Sequence, residues 1–229
     1  MMPALTLRAQ IEARIPSAFV MYKRPERLTI LTGVSQVDDV TGGIPMHALT
    51  EICGPGKTSV LVSLLANASR EHYCALVDAR DAFDPVTAEA AGVNLSRMLW
   101  VRCDKTKQKL RPLEQAFKAT DMLLQSGGFG LIVVDLSDLA EKIVRNVPLS
   151  SWFRFSRVVE NQGTALVFIE RQHHATSCAG LVLKLTSAPA TFSGKLLTSL
   201  TLSADVIRTR DKKGVQSATP DFSIKAQWA

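Results

Sequence analysis

The chain has 229 residues, a formal net charge of +6 at pH 7 and a hydrophobic content of 46%. This is enough to bury the core of one sizeable domain. No apolar run approaches the ~18 residues that span a membrane, and the stretch from Met1 to Ile15 lacks the apolar segment of a signal peptide. We therefore expect a cytoplasmic protein without a membrane partner. The modest basicity permits nucleic acids or acidic proteins as partners.

The chain begins with a predicted amphipathic helix between Leu5 and Ile15, followed by a linker over 16–35. The central part then alternates apolar strand-like runs with helical segments. This alternation predicts an α/β fold with a mostly parallel central sheet flanked by helices. The predicted strands are 48–53, 73–78, 98–103, 130–135, 164–169 and 181–185, and the predicted helices are 58–71, 86–92, 112–126 and 149–161.

After residue 190 the pattern becomes rich in strands. Segments 197–209 and 221–228 predict an antiparallel C-terminal extension of the sheet. We accordingly divide the chain into an N-terminal helix and linker (1–31), a core domain (32–210) and a C-terminal strand extension (211–229).

A contracted nucleotide-binding motif lies between the first core strand and the following helix. The P-loop pattern is G-x-x-x-x-G-K-[ST], and here Gly54-Pro55-Gly56-Lys57-Thr58 leaves one residue between the glycines. Three missing residues shorten the path by about 10 Å, and Pro55 has no N–H to donate. Two interpretations stay open, a triphosphate site and a strand–turn–helix corner without nucleotide. Residues dropped from the recorded sequence would also produce this gap.

Several segments, in order, resemble the bacterial RecA family over roughly residues 32–209. The segments are Thr32–Asp38, Thr41–Pro45, Glu51–Pro55, Gly56–Thr58, Cys74–Ala79, Ala82–Pro85, Leu131–Asp135 and Ala165–Ile169. The resemblance implies a RecA-like P-loop core. In that core, the strand ending at Asp135 would be the Walker B strand, and the strand ending at Ile169 would lead into the second DNA-binding loop.

Other positions depart from the family. Arg80 and Asp81 occupy the place of the catalytic glutamate, and an arginine cannot be deprotonated to act as a base. Glu170-Arg171 replaces the Asn-Gln pair that contains the family's phosphate sensor, and Gln172 comes one position late. We therefore assign no catalytic residue, and the chain is expected not to be an ATPase.

The resemblance also implies a set of ligand-binding residues, with ATP and Mg²⁺ as cofactors. The nucleotide-binding candidates are Gly54, Gly56, Lys57, Thr58, Ser59 and Asp84, and the metal-binding candidates are Thr58 and Asp135. Two further interpretations of Asp135 stay open. It is either a strand-end acid hydrogen-bonded to Thr58 or Lys57, or the partner of Lys57 in a salt bridge within an empty site.

Basic residues cluster near the positions of the two DNA-binding loops of the family. The candidates for single-stranded DNA binding are Lys142, Arg145, Arg171, His173 and His174. The alternative is a solvated helix face. In that interpretation Trp152, Phe155 and Val159, which recur at helical spacing, belong to the core.

The degenerate motifs most resemble the ImuA group, RecA-related proteins also described as SulA-like and encoded in bacterial mutagenesis cassettes. This resemblance implies an accessory role in SOS-induced translesion synthesis, through contacts with a polymerase subunit and with RecA in a nucleoid-associated complex. Two other hypotheses remain. One is a DNA-dependent ATPase or recombinase that binds ATP and single-stranded DNA, and the other is a cell-division inhibitor.

Overall fold

A computed structural model describes residues 28–103, 111–187, 190–210 and 221–225. The predicted N-terminal helix lies outside these ranges. The helices are α1 (Ser35–Thr41), α2 (Lys57–Ala68), α3 (Pro85–Ala90), α4 (Pro112–Ser126), α5 (Glu141–Arg145) and α6 (Leu149–Glu160). The strands are β1 (Thr29–Ile30), β2 (Ile44–Pro45), β3 (Ala48–Cys53), β4 (Cys74–Asp78), β5 (Met98–Arg102), β6 (Leu131–Asp135), β7 (Ala165–Glu170), β8 (Leu181–Ser187), β9 (Thr191–Ser193), β10 (Leu196–Thr209) and β11 (Asp221–Lys225).

Nine of these strands form one mixed sheet in the order β11-β10-β8-β3-β7-β6-β4-β5, with β9 also paired to β10. The strands from β8 to β5 in this order are all parallel. In contrast, β9, β10 and β11 pair in antiparallel fashion. The carboxyl ends of β3, β4, β6 and β7 therefore meet at one edge of the sheet, which is where ligands bind in open α/β sheets.

Both faces of the parallel sheet are covered, because its strands are apolar on both sides. Helix α2 packs on one face, and helices α4 and α6 pack on the other. Trp152 and Phe155 of α6 are buried against Phe168 of β7 and Phe117 of α4. These contacts, together with the complete burial of Val159, confirm the core interpretation of that helix.

The predicted fold class is confirmed, with small shifts in the element boundaries. The antiparallel extension lies where it was expected, although residues 226–229 fall outside the described part. The predicted linker 16–35 is wrong at its end, because Thr29–Ile30 pairs with Ile44–Pro45 and α1 begins at Ser35. Within the described residues, no helix is long and apolar enough to cross a bilayer.

Candidate functional site

The contracted loop between β3 and α2 is closed against the neighbouring strands. Gly54 has a φ of 102°, and a Cβ built on it would lie 2.0 Å from the carbonyl oxygen of Leu185 in β8. Gly56 has a φ of 75°, and its Cβ would lie 2.2 Å from a methyl group of Leu202 in β10. The left-handed backbone favours glycine at both positions, and the loop packs closely against the Leu185 backbone of β8 and the Leu202 side chain of β10.

Helix α2 begins immediately after the loop. Gly56 is its N-cap in the left-handed conformation and provides no side-chain cap. The Lys57 Nζ donates to the Gly54 carbonyl oxygen at 3.4 Å, so the side chain folds back on its own loop. Among the described residues, no ion pair or hydrogen bond joins Lys57 or Thr58 to Asp135. The two interpretations in which Asp135 hydrogen-bonds to Thr58 or Lys57, or forms a salt bridge with Lys57, are therefore wrong.

Asp78 and Asp135 stand side by side at the carboxyl ends of β4 and β6. Asp78 is buried and accepts three backbone N–H groups, from Arg80 at 3.1 Å, Ala82 at 2.8 Å and Phe83 at 2.9 Å. Asp135 accepts the N–H of Ser137 at 2.9 Å. Burial raises the pKa of Asp135, and its bonds to Ser137 partly offset this effect. Asp78 thus organises the turn after β4, whereas Asp135 holds the turn after β6.

The turn after β4 occupies the place of the family's catalytic glutamate. Its acidic residue Asp81 points away from the contracted loop. Asp81 forms an ion pair with Arg102 of the edge strand β5, at 2.8 Å from Oδ1 to Nε. The Arg102 guanidinium also lies 5.0 Å from the centre of the Trp100 ring. Since β5 is the strand of the parallel sheet furthest from β3 on this side, Asp81 is not directed toward Lys57. Arg80 is exposed, and no hydrogen bond to its side chain exists among the described residues.

Asp84, a predicted nucleotide-binding residue, is the N-cap of α3. Its carboxylate accepts the Val86 N–H at 3.1 Å, the Thr87 N–H at 3.4 Å and the Thr87 hydroxyl. The hydroxyl bond is the main reason that the pKa of this carboxyl is lowered. These bonds use both carboxylate oxygens of Asp84 to cap the start of α3.

Two buried glutamates, which the motif analysis did not select, lie next to the loop. Glu51 of β3 and Glu170 of β7 are 0% and 1% exposed and occupy the sheet face opposite to α2. Glu51 Oε1 accepts the N–H groups of His174 at 2.6 Å and Ala175 at 2.7 Å. Both Glu170 oxygens and Glu51 Oε2 have no partner among the described residues. The replacement of the family's Asn by Glu170 was the available sequence signal.

Burial raises the pKa values of both glutamates. Desolvation, and then the charge of Glu51, raise the pKa of Glu170 well above its ordinary value. Desolvation also raises the pKa of Glu51, but the two backbone N–H groups counteract it by stabilising the carboxylate. Glu51 therefore anchors the segment after β7 through these two hydrogen bonds.

The structure brings four of the five predicted DNA-binding residues into one region. Arg171, His173 and His174 follow β7, and the charges of His173 and Arg145 both act on His174. Arg171 is fixed by a bond from its Nε to the Ser137 carbonyl oxygen at 2.9 Å. Burial is the main reason that the pKa of His174 is lowered.

Lys142 lies on α5, three positions before Arg145. It lines a different cavity, between α5 and the start of α4, together with Arg111, Glu114 and Ile143. A role for any of these five residues in DNA binding stays a prediction.

The observed loop does not fit a nucleoside triphosphate. A P-loop needs successive backbone N–H groups around an open cradle, whereas Pro55 has none and each glycine is packed on one side against β8 or β10. No group of three or more metal-binding side chains exists among the described residues. Gly56, Lys57, Thr58 and Ser59 still lie at the start of α2, so their assignment stays a prediction, which the closed loop argues against.

The fold and this remnant of a P-loop define an α/β protein of the RecA/RadB-like class. The crystal structure of the RadB recombinase superposes with a TM-score of 0.61 over 85% of this chain and 95% of that chain. At 17% sequence identity, this similarity shows the fold alone.

Sequence comparison identifies the family. The profile of the RecA N-terminal domain matches residues 20–143, which is more than half of the chain, so the chain belongs to the RecA family. Protein RecA of Colwellia psychrerythraea is 41% identical over 113 residues, which cover 47% of this chain and 31% of the relative. Protein RecA of Ectopseudomonas oleovorans is 36% identical over 137 residues, which cover 56% of this chain and 37% of the relative. The matched region therefore spans about a third of these relatives.

Proposed function

We propose that this protein is a RecA-family core that acts without a nucleotide cycle, as an accessory protein of bacterial DNA damage tolerance. It would work in the cytoplasm near the nucleoid, through contacts with a translesion polymerase subunit and with RecA. The observation that carries this proposal is the contracted loop, in which Gly54 and Gly56 are packed against Leu185 and Leu202. A family member that lacks an open phosphate cradle retains the fold as a scaffold for partners.

Three further features support the proposal. Asp81, the acid nearest to the position of the missing catalytic glutamate, is paired with Arg102. Arg171, which replaces the phosphate sensor, is bonded to the Ser137 carbonyl group. Finally, Glu51 fixes the segment after β7, so that segment does not need a nucleotide to order it. The ImuA-like assignment rests on this combination of losses.

A genetic complementation experiment distinguishes this proposal from a function that depends on ATP. In a strain that lacks the gene, we expect the frequency of damage-induced mutation to fall, and wild-type protein and Lys57→Ala to restore it equally. The reason is that, among the described residues, the Lys57 ammonium donates its hydrogen bond to the Gly54 carbonyl oxygen of its own loop. Co-purification with a translesion polymerase subunit, retained in the variant, is the matching biochemical readout. Failure of Lys57→Ala to complement, at equal protein levels, contradicts the proposal.

The main alternative is a DNA-dependent ATPase or recombinase. It is favoured by the position of Lys57 and Thr58 at the start of α2 and of Asp135 at the end of β6. ATP turnover stimulated by single-stranded DNA, measured beside Protein RecA of Colwellia psychrerythraea, would support it, whereas we expect no turnover above background. Division arrest on overexpression without a polymerase partner would instead support the division-inhibitor hypothesis.

A further inference from the structure

The segment after β7, residues 171–180, is short and strained. It connects β7 to β8 and contains a short 3-10 helix over Thr176–Cys178. Thr176 has a φ of 45°, a conformation that a β-branched residue rarely adopts. Such strain persists only where the surrounding structure imposes it. The closed position of this segment therefore depends on its contacts with the rest of the protein.

Hydrogen bonds from two sides hold the segment in place. On one side, Glu51 of β3 accepts the N–H groups of His174 and Ala175. On the other side, the Ser156 hydroxyl of α6 donates to the Cys178 carbonyl oxygen at 3.1 Å. The side chains of Ala175 and Cys178 are buried as well. Of these anchors, Glu51 is the one whose charge depends on pH.

Glu170 ends β7 directly before this segment and is a buried acid without compensation. It is 1% exposed, and neither of its carboxyl oxygens has a hydrogen-bond partner among the described residues. It lines a void between α5 and the segment that is too narrow to admit a water molecule. An ionised carboxylate is far less stable in such a place than a protonated one. A proton on Glu170 therefore stabilises the closed position of the segment.

The groups around Glu170 do not offset its charge. Glu51 lies two residues before Cys53, the register partner of Glu170, so the two acids share a sheet face. The negative charge of Glu51 disfavours a second one. Asp135 is the register partner of Ile169 and lies on the opposite face. The other titratable and charged groups nearby, none of which hydrogen-bonds to Glu170, are Cys53 on β3, Lys184 on β8, Glu141 and Arg145 on α5, and Arg171, His173 and His174 in the segment.

We propose that Glu170 is a proton-controlled switch, which keeps the segment after β7 closed while it holds a proton and opens the segment when it loses that proton. Opening lets water reach the second negative charge beside Glu51. Because Gln172 and His173 line a cavity of about 470 Å³ beside the contracted loop, opening also changes the surface next to that loop. The inference concerns this segment alone and holds whichever partner the protein binds.

The direction of the switch follows from burial, which raises the pKa of Glu170. The closed segment then binds the proton more tightly than the open segment does. Closure is therefore fully favoured below the ordinary pKa of 4.5 and is lost as the pH rises through the raised pKa. Above that value, the equilibrium constant for opening is expected to rise about tenfold per pH unit, the slope of a single proton.

The test is labelling of the Cys178 thiol, which is buried in the segment, in the full-length protein with a pyridyl disulfide reagent. Peptide mapping separates Cys178 from Cys74 of β4, which reports wider unfolding. Glu170→Gln carries no charge at any pH. We expect its Cys178 to react at the wild-type rate at pH 5 and about tenfold more slowly than wild type at pH 9. Glu89→Gln, exposed on α3, is the matched control and should follow wild type at both pH values.

Hydrogen exchange of the wild-type protein is a second measurement that needs no variant. After correction for intrinsic exchange, the protection of residues 171–180 should fall from pH 5 to pH 9, while that of Leu131–Asp135 in β6 stays high. Unchanged protection of residues 171–180 overturns the proposal. Equal Cys178 labelling in wild type and Glu170→Gln at pH 9 also overturns it. So does a rise in Cys74 labelling that parallels that of Cys178, because the whole protein then unfolds.

Discussion

Substitution of Gly54 by alanine is expected to lower the free energy of unfolding by about 3–5 kcal/mol, near the upper end for single substitutions. The added Cβ would lie 2.0 Å from the Leu185 carbonyl oxygen, which is backbone and cannot rotate away. Its φ of 102° adds strain for any residue with a Cβ. The loop must therefore separate from β8, and the sheet loses contacts next to the core.

Urea unfolding of variants at two other glycines separates the steric clash from the backbone strain in this effect. Gly42 has a φ of 70° and open space around its missing Cβ, so Gly42→Ala reports the conformational strain alone, about 1–2 kcal/mol. Gly163 also has open space but no left-handed φ, so Gly163→Ala is expected to change stability little. A Gly54→Ala loss no larger than that of Gly42→Ala would show that the loop is not packed on β8.

Replacement of Glu170 by glutamine is expected to stabilise the protein at pH 8, by about 1–3 kcal/mol, because both carboxyl oxygens are buried without partners. An amide of the same shape carries no charge to desolvate. For a chain of this size, such a gain raises the melting temperature by several degrees. The advantage is expected to shrink as the pH falls toward 5.

The direction of this pH dependence follows from the raised pKa of Glu170 in the folded protein. Folding then favours the protonated carboxyl. The stability that this carboxyl contributes to the folded protein is fully present below its ordinary pKa of 4.5 and is lost as the pH rises through its folded-state pKa. The variant does not titrate at this position. Glu89→Gln, on the exposed side of α3, controls for the lost charge. Equal melting temperatures of wild type and Glu170→Gln at pH 8 would contradict the account.

The parallel core could be predicted from the sequence because its strands are short apolar runs between clear helical segments. The closing strands β10 and β11 were visible from their composition. The short elements were not predicted, since Thr29–Ile30 and Ile44–Pro45 are too brief to show a period. Their pairing depends on tertiary contacts.

The candidate site was less predictable than the fold. The missing loop residues and Arg80 were evident from the motif spacing, but the contacts that close the loop come from Leu185 and Leu202, more than a hundred residues away in sequence. The Glu51–Glu170 pair also required the strand order, because only the pairing of β3 with β7 brings them to the same face. Motif spacing contains no information about either arrangement.

The central claim is that the contracted loop does not bind a nucleotide, and calorimetric titration with Mg-ATP tests it most directly. Wild-type protein and Lys57→Ala should be compared. We predict no binding that depends on Lys57. Micromolar binding by the wild type that is lost in Lys57→Ala would show that the loop still holds a triphosphate and would contradict the account.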